Sequence, residues 1–225
     1  MGFFALIAMW FALPLLFIFL FILPVKLMIR SLIDIVYIPR QIVGIAANAR
    51  LRRNHALEHA TINVLQQRYG VRRLAGLASE DGFLIRGWSD DRALSRAAGE
   101  ALLRLQRGEH DLAVHRHCGT SQAVGNFLFA VLYLTVLLAG GRLQLGAVML
   151  GGAALLLISP YLGMWIQRAF TTSIDVSDVM IIGTSPVFGR KGPAFPFSLL
   201  LGRVPEGYYV HTGSGAALHG SWIER

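Results

Sequence analysis

The sequence predicts a membrane α-helical protein in which three transmembrane helices carry a small cytoplasmic α+β domain, and three observations predict it. The 225 residues are 54% hydrophobic and only 15% charged, with a mean hydropathy of +0.53, more apolar than a water-soluble domain. Three runs carry no charge, Gly2 to Val25, Val124 to Gly141 and Leu145 to Ile166, each near the roughly 20 residues a helix needs to cross the hydrocarbon layer. Of the 21 Lys and Arg, 15 lie between Lys26 and Arg116 and five follow Trp165, which puts the middle segment and the tail on the cytoplasmic side and the N-terminus outside.

In chain order, residues 1–29 read as an N-terminal transmembrane anchor. No basic residue precedes its apolar run and no small-x-small site follows, so it is expected to stay as a span rather than to be cleaved as a signal peptide. Residues 30–53, with Arg30 and Arg40 scattered among apolar positions, suit an interfacial helix broken near Pro39. Good helix formers dominate from about Gln41 to Tyr69, and Gly70 is placed to end that helix. Residues 54–123 form the predicted α+β domain. It contains a hairpin around Glu80-Asp81-Gly82, a helix opened by Asp90 and closed by Gly108, and a short strand over DLAVHRH, residues 111–117. About 70 residues bury only a modest core, so support from a metal or the membrane is expected.

Residues 124–167 read as a transmembrane helical hairpin that turns at Gly140, Gly141 and Arg142. Gly146, Gly151 and Gly152, with Ala147, Ala153 and Ala154, give its second helix a small-residue face, suited to close packing within the hairpin or to a homo-oligomer. Residues 168–225 form a cytoplasmic, β-rich tail in which DVMIIGTSPVF and EGYYVHT are the strand-like runs.

The chemistry concentrates in two places. In RRNHALEHATINVLQQRYG, residues 52–70, His55 and His59 are four apart, so a helix stacks their imidazoles on one face with Glu58 beside them. H-x-x-E-H is the inverted zinc-peptidase pattern, two metal ligands with an acid–base glutamate between them. A helix that merely contains histidines has the same spacing, so a second cluster is needed. It is His115-Arg116-His117-Cys118, whose imidazoles and thiol are ligands that borderline-soft zinc accepts alike. The lone cysteine cannot form an internal disulfide, in keeping with a reducing compartment; it is otherwise a small buried hydrophobe.

His55-Ala56-Leu57-Glu58-His59-Ala60-Thr61, followed by His115-x-x-Cys118-Gly119-Thr120 just ahead of an apolar span, resembles uncharacterised bacterial integral-membrane proteins described only as predicted metal-dependent enzymes, in particular a group of unknown function with H-x-L-E-H-A-T. The resemblance covers Asn54 to Asn126, with Gln167-Arg168 and Thr171-Thr172 after the last span. It implies a metal, zinc by its donor set, held by His55, His59 and His115 or Cys118, with Glu58 in the acid–base position. It also implies an inner, cytoplasmic bacterial membrane. Arg116 and His117 stand where those proteins have Pro and Arg or Asn, which makes His117 a rival ligand.

Ligand number separates two expectations. Four ligands close a structural zinc shell, as in a membrane assembly or scaffold factor; three leave a position at which a hydrolase would work, with Glu58 moving protons. The glutamate between the histidines favours the hydrolase, although Glu58 could equally orient a ligand or pair with Arg52 or Arg53. Cys118 is six residues from Val124, within roughly 20 Å of the membrane surface, so the expected partners are the lipid bilayer and a lipid or membrane-protein substrate. A basic face near anionic headgroups accounts for the charge without nucleic acid. Spans free of ionisable residues argue against metal transport. Glu109, Asp175 and Asp178 are weaker candidates for the site, and His211 and His219 read as isolated surface residues.

Overall fold

The computed structural model describes residues 10, 12, 22–71, 73–88, 90–116, 118–138, 145–188 and 205–214. Nearly all of the first expected span, the Gly140-Gly141-Arg142 turn, His117 and His219 lie outside the described residues. Two compact units emerge: residues 1–41 with 122–160, and residues 42–121 with 161–225.

The first unit is helical. It takes in most of α1, Leu23–Ala47, and of α4, Gly119–Leu138, and α5, Leu145–Ile166. Within it α4 and α5 pack closely: side chains at Gly151 and Gly152 would meet Leu132 and Phe129, and one at Gly125 would press on Ser159. Small residues thus serve the hairpin, as their spacing suggests. Gly119–Val136 and Leu150–Thr171 are long and apolar enough to cross a membrane, and among the described residues a third span results only if α1 and the helix after it count as one broken span.

That next helix, α2, Ala49–Tyr69, belongs to the core of the second unit. The expected break at Pro39 does not occur, because α1 runs through Pro39 to Ala47. The chain breaks instead at Asn48, whose side chain accepts from the Leu51 N–H at 3.1 Å. A new helix needs such a partner for its first N–H groups, and nothing after Pro39 supplies one. Gly70 ends α2 at φ 66°, as expected.

β1, Ala75–Ser79, and β2, Gly82–Arg86, form the predicted hairpin. Helix α3, Asp91–Gln106, starts at Asp90, whose carboxylate accepts from the Ala93 N–H at 3.0 Å. The expected strand at 111–117 is instead a single 3-10 turn, His110–Ala113. Its carbonyls are taken by α2: the Asn63 amide donates to Leu112 and Val114, and His59 donates to Ala113. With those groups satisfied no strand partner is required.

The two strand-like runs of the tail are β3, Val179–Val187, and β4, Gly207–Ser214. They join the hairpin in one antiparallel sheet of order β1-β2-β4-β3. Phe83, Ile85 and Val210 point to one face, where Leu57, Val64 and Leu65 of α2 and Leu94 and Leu105 of α3 close the core. A buried Asn54 ties α2 to the sheet, its amide donating to the Ser79 and Glu80 carbonyls while its oxygen accepts from Thr212.

Candidate metal centre

The second and third turns of α2 aim His55, Glu58 and His59 inward, and the three side chains are 6%, 4% and 1% exposed. Stacked four residues apart, the two imidazole centroids lie 4.4 Å from each other. Each ring is fixed by a main-chain carbonyl, His55 Nδ1 lying 2.9 Å from the Thr171 oxygen and His59 Nδ1 2.8 Å from the Ala113 oxygen. A carbonyl can only accept, so both rings carry their proton on Nδ1 and turn a bare Nε2 lone pair inward.

Cys118 completes the group from the start of α4. Its Sγ is 3.4 Å from His55 Nε2 and accepts from the Thr120 N–H at 3.4 Å. The donor atoms of His55, His59 and Cys118 all lie within 4.8 Å of one another. His59 Nε2 is buried and has no hydrogen-bond partner among the described residues, a costly position for a basic nitrogen unless something else occupies its lone pair. Burial lowers the pKa of both histidines, reinforced at His59 by its neighbour His55, and so keeps them in the neutral form that binds metals. Burial pushes the Cys118 thiol up to about 11, a value an ion beside the sulfur would lower. A buried His-His-Cys group of this kind can hold a metal ion.

His115, the remaining expected ligand, is held beside the group rather than within it. Its ring centroid is 6.2 Å from that of His59, and its Nε2 lies 3.3 Å from Gln66 Oε1. Its backbone is clamped by the fully buried Gln167, which accepts from the His115 N–H at 2.9 Å and donates to its carbonyl at 3.1 Å and to Ser121 Oγ at 2.7 Å. Gln167 opens a π-helical turn, Gln167–Thr171, at the end of α5, and the same turn supplies the Thr171 carbonyl. Turns of this type are frequent at functional sites.

Glu58 points toward β1. A Cβ at Gly76 would overlap the Glu58 carboxyl, so the strand approaches this closely only because residue 76 is glycine. Burial raises the Glu58 pKa to about 8, tempered by a hydrogen bond from the Ala78 N–H. The group can therefore hold or release a proton near neutrality. The weaker candidates are engaged elsewhere: Asp175 and Asp178 pair with Arg53 at 3.2 and 3.0 Å, and Glu109 pairs with Arg104 at 2.7 Å. His211 is not isolated; its Nε2 lies 2.9 Å from Ser185 Oγ. Gln167 and Thr171 fall within the resemblance, but the roles of the Ala113 and Thr171 carbonyls could not be read from the sequence, since any residue provides a carbonyl.

A family model described as "Domain of unknown function (DUF6391)" matches residues 50–184, a stretch that includes every residue of the centre. An uncharacterized protein of Picosynechococcus sp. is 34% identical over 145 residues, covering 56% of this chain and 68% of that protein. No solved structure matches.

Proposed function

The chain belongs to the family of the DUF6391 domain, and we propose that it is a zinc-dependent hydrolase acting on a membrane-associated peptide or lipid at the cytoplasmic face of a bacterial inner membrane. His55, His59 and Cys118 would hold the ion. The observation that carries this reading is the convergence of three donors of which one, His59 Nε2, is buried and without a hydrogen-bond partner among the described residues. Imidazole and thiolate together suit zinc better than magnesium or calcium, which prefer oxygen ligands. When bound, the ion supplies Lewis acidity at the position that three protein ligands leave open. Glu58, with its pKa raised to about 8, would take a proton from the attacking water and return it to the leaving group. The carbonyls of Ala113 and Thr171 would keep both imidazoles oriented.

The membrane placement is supported by the chain itself. Cys118 immediately precedes α4 in the chain, and Thr171 ends the apolar stretch Leu150–Thr171, so residues of the centre flank the helical hairpin in sequence. The excess of Lys and Arg in the middle segment favours the cytoplasmic side, with the N-terminus outside. One distance favours a second reading: with its ring 6.2 Å from His59, His115 could turn in as a fourth ligand, and the zinc would then be structural in a non-catalytic assembly or scaffold factor.

Glu58→Gln separates the two readings. In the hydrolase, detergent-purified Glu58→Gln keeps about one zinc per chain while turnover of peptide and lipid-ester probes falls about 10²- to 10⁴-fold. If wild type retains zinc yet hydrolyses neither class of probe, and Glu58→Gln behaves identically, the scaffold reading replaces it.

A further inference from the structure

The four-stranded sheet has two edges, and they are treated differently. β3 carries Pro186 and a register shift between Ile181 and Gly183, both devices that discourage pairing with another strand. β1 reads Ala-Gly-Leu-Ala-Ser, with no proline, charge or bulge. Its partner β2 occupies one side, and among the described residues no strand occupies the other.

The hairpin register identifies the groups on the open side. Ser79 pairs with Gly82 across the two-residue turn, so the main-chain groups of Ala75, Leu77 and Ser79 face β2 and those of Gly76 and Ala78 face outward. Ala75, Gly76 and Leu77 are exposed. Glu58 reaches this outward edge, where it accepts from the Ala78 N–H and fills the space that a side chain on residue 76 would need. The acid–base group of the centre therefore meets, at Gly76 and Ala78, an outward row of main-chain groups of which Glu58 takes the Ala78 N–H, while no strand among the described residues pairs with the rest.

Resting on the hydrolase reading above, we infer that the outer edge of β1 is the substrate-binding strand and that the substrate is an extended polypeptide segment, added to the sheet as a fifth strand. The outward carbonyls of Gly76 and Ala78 can accept from N–H donors at the spacing of an extended chain. A polypeptide backbone supplies them; the ester region of a phospholipid has only acceptors. Strand addition takes its affinity from main-chain bonds, and the small side chains at 75, 76 and 78 leave room for substrates of varied sequence. The reaction is amide hydrolysis: the C–N bond breaks, water gives its oxygen to the acyl carbon and a proton to the amine, and an acid and an amine result.

The test uses the full chain, zinc-loaded, in detergent micelles. The probes are a ten-residue unstructured peptide of alternating apolar and polar residues, the same peptide N-methylated at alternate backbone positions, and phosphatidylethanolamine vesicles. Hydrogen exchange is followed over residues 74–79 and 179–187, together with mass spectrometry of products. Expected are cleavage of the plain peptide, slowed exchange at 74–79 but not at 179–187, and binding about tenfold weaker after methylation, the effect of losing about two hydrogen bonds. Lipid hydrolysis without peptide binding or cleavage would overturn the inference and leave the hydrolase reading standing. Peptide cleavage without protection at 74–79, or with methylation having no effect, would move the substrate off this edge. Protection at 74–79 before any peptide is added would mean that another part of this chain already fills it, and would overturn the inference too. No binding and no hydrolysis of either probe by a protein without stoichiometric zinc would remove both readings.

Discussion

His59 Nδ1 donates to the Ala113 carbonyl at 2.8 Å, and this one bond leaves His59 Nε2 bare inside the protein. The Thr171 carbonyl likewise takes the His55 Nδ1 proton, and His55 Nε2 then faces Cys118 Sγ at 3.4 Å. Two main-chain oxygens, one from a 3-10 turn and one from a π-helical turn, thus set the tautomer of both imidazoles before any ion arrives. Such partners orient metal-binding histidines and raise their basicity.

The geometry predicts an asymmetry in zinc content among single variants. His59→Ala and Cys118→Ala each remove a member of the 4.8 Å group and should lose stoichiometric metal. His115→Ala removes a side chain whose Nε2 lies beside Gln66 and should retain it. Elemental analysis of the purified proteins checks this, and loss of zinc in His115→Ala would mark His115 as a fourth ligand.

Gly76→Ala should separate metal binding from activity. The added methyl group would overlap the Glu58 carboxyl, so Glu58 or β1 must shift, at a cost of about 1–3 kcal/mol for overpacking. None of the three metal donors is touched. Zinc content should stay near that of wild type while the melting temperature drops and hydrolysis falls with the displaced carboxyl. Unchanged turnover would dissociate the position of Glu58 from the chemistry.

Locally encoded features could be read from the sequence, and features satisfied at long range could not. Asp90, the Glu80-Asp81 turn and Gly70 signal their structures within a few residues, and each stands where expected. The segment 111–117 has the apolar content of a strand, but Asn63 and His59, some fifty residues earlier, take its carbonyls and make it a turn. Pro39 looks like a break, yet the capping side chain sits nine residues later at Asn48. H-x-x-E-H and Cys118 were legible because metal ligands are side chains. The orienting carbonyls were not, and the place of β4 between β2 and β3 depends on pairing across more than a hundred residues.

Gln167 should prove a keystone of the second unit despite ending an apolar helix. Its amide makes three hydrogen bonds, two to the His115 backbone and one to Ser121. Gln167→Leu keeps most of the volume and strands those groups out of contact with water, at a cost of about 2–4 kcal/mol. Gln167→Glu keeps the acceptor for the His115 N–H and should be the milder of the two when ionisation is suppressed. Thermal melting ranks them, and zinc titration should show weaker affinity in Gln167→Leu, since the turn that holds Thr171 begins at this residue. Equal melting temperatures for wild type and Gln167→Leu would contradict the assignment.

Tyr209→Phe should change the pH dependence of stability at both ends of the range. The Tyr209 hydroxyl donates to Asp81 at 2.5 Å and also contacts Ser79. Hydrogen bonds from Tyr209 and then Ser79 hold the Asp81 carboxyl below its ordinary value. Folding therefore favours the carboxylate, and the resulting stabilisation is present above about pH 4 and lost as pH falls through the folded value. Burial, and then the hydrogen bond to Asp81, raise the Tyr209 phenol. That contribution is complete below about pH 10 and is lost as pH rises through the folded value. The melting-temperature gap between wild type and Tyr209→Phe should accordingly be widest from about pH 4 to 10 and narrow toward both extremes. A gap that stays constant across pH would mean that the hydroxyl acts by packing alone, because removal of the pair's proton linkage would then leave no trace.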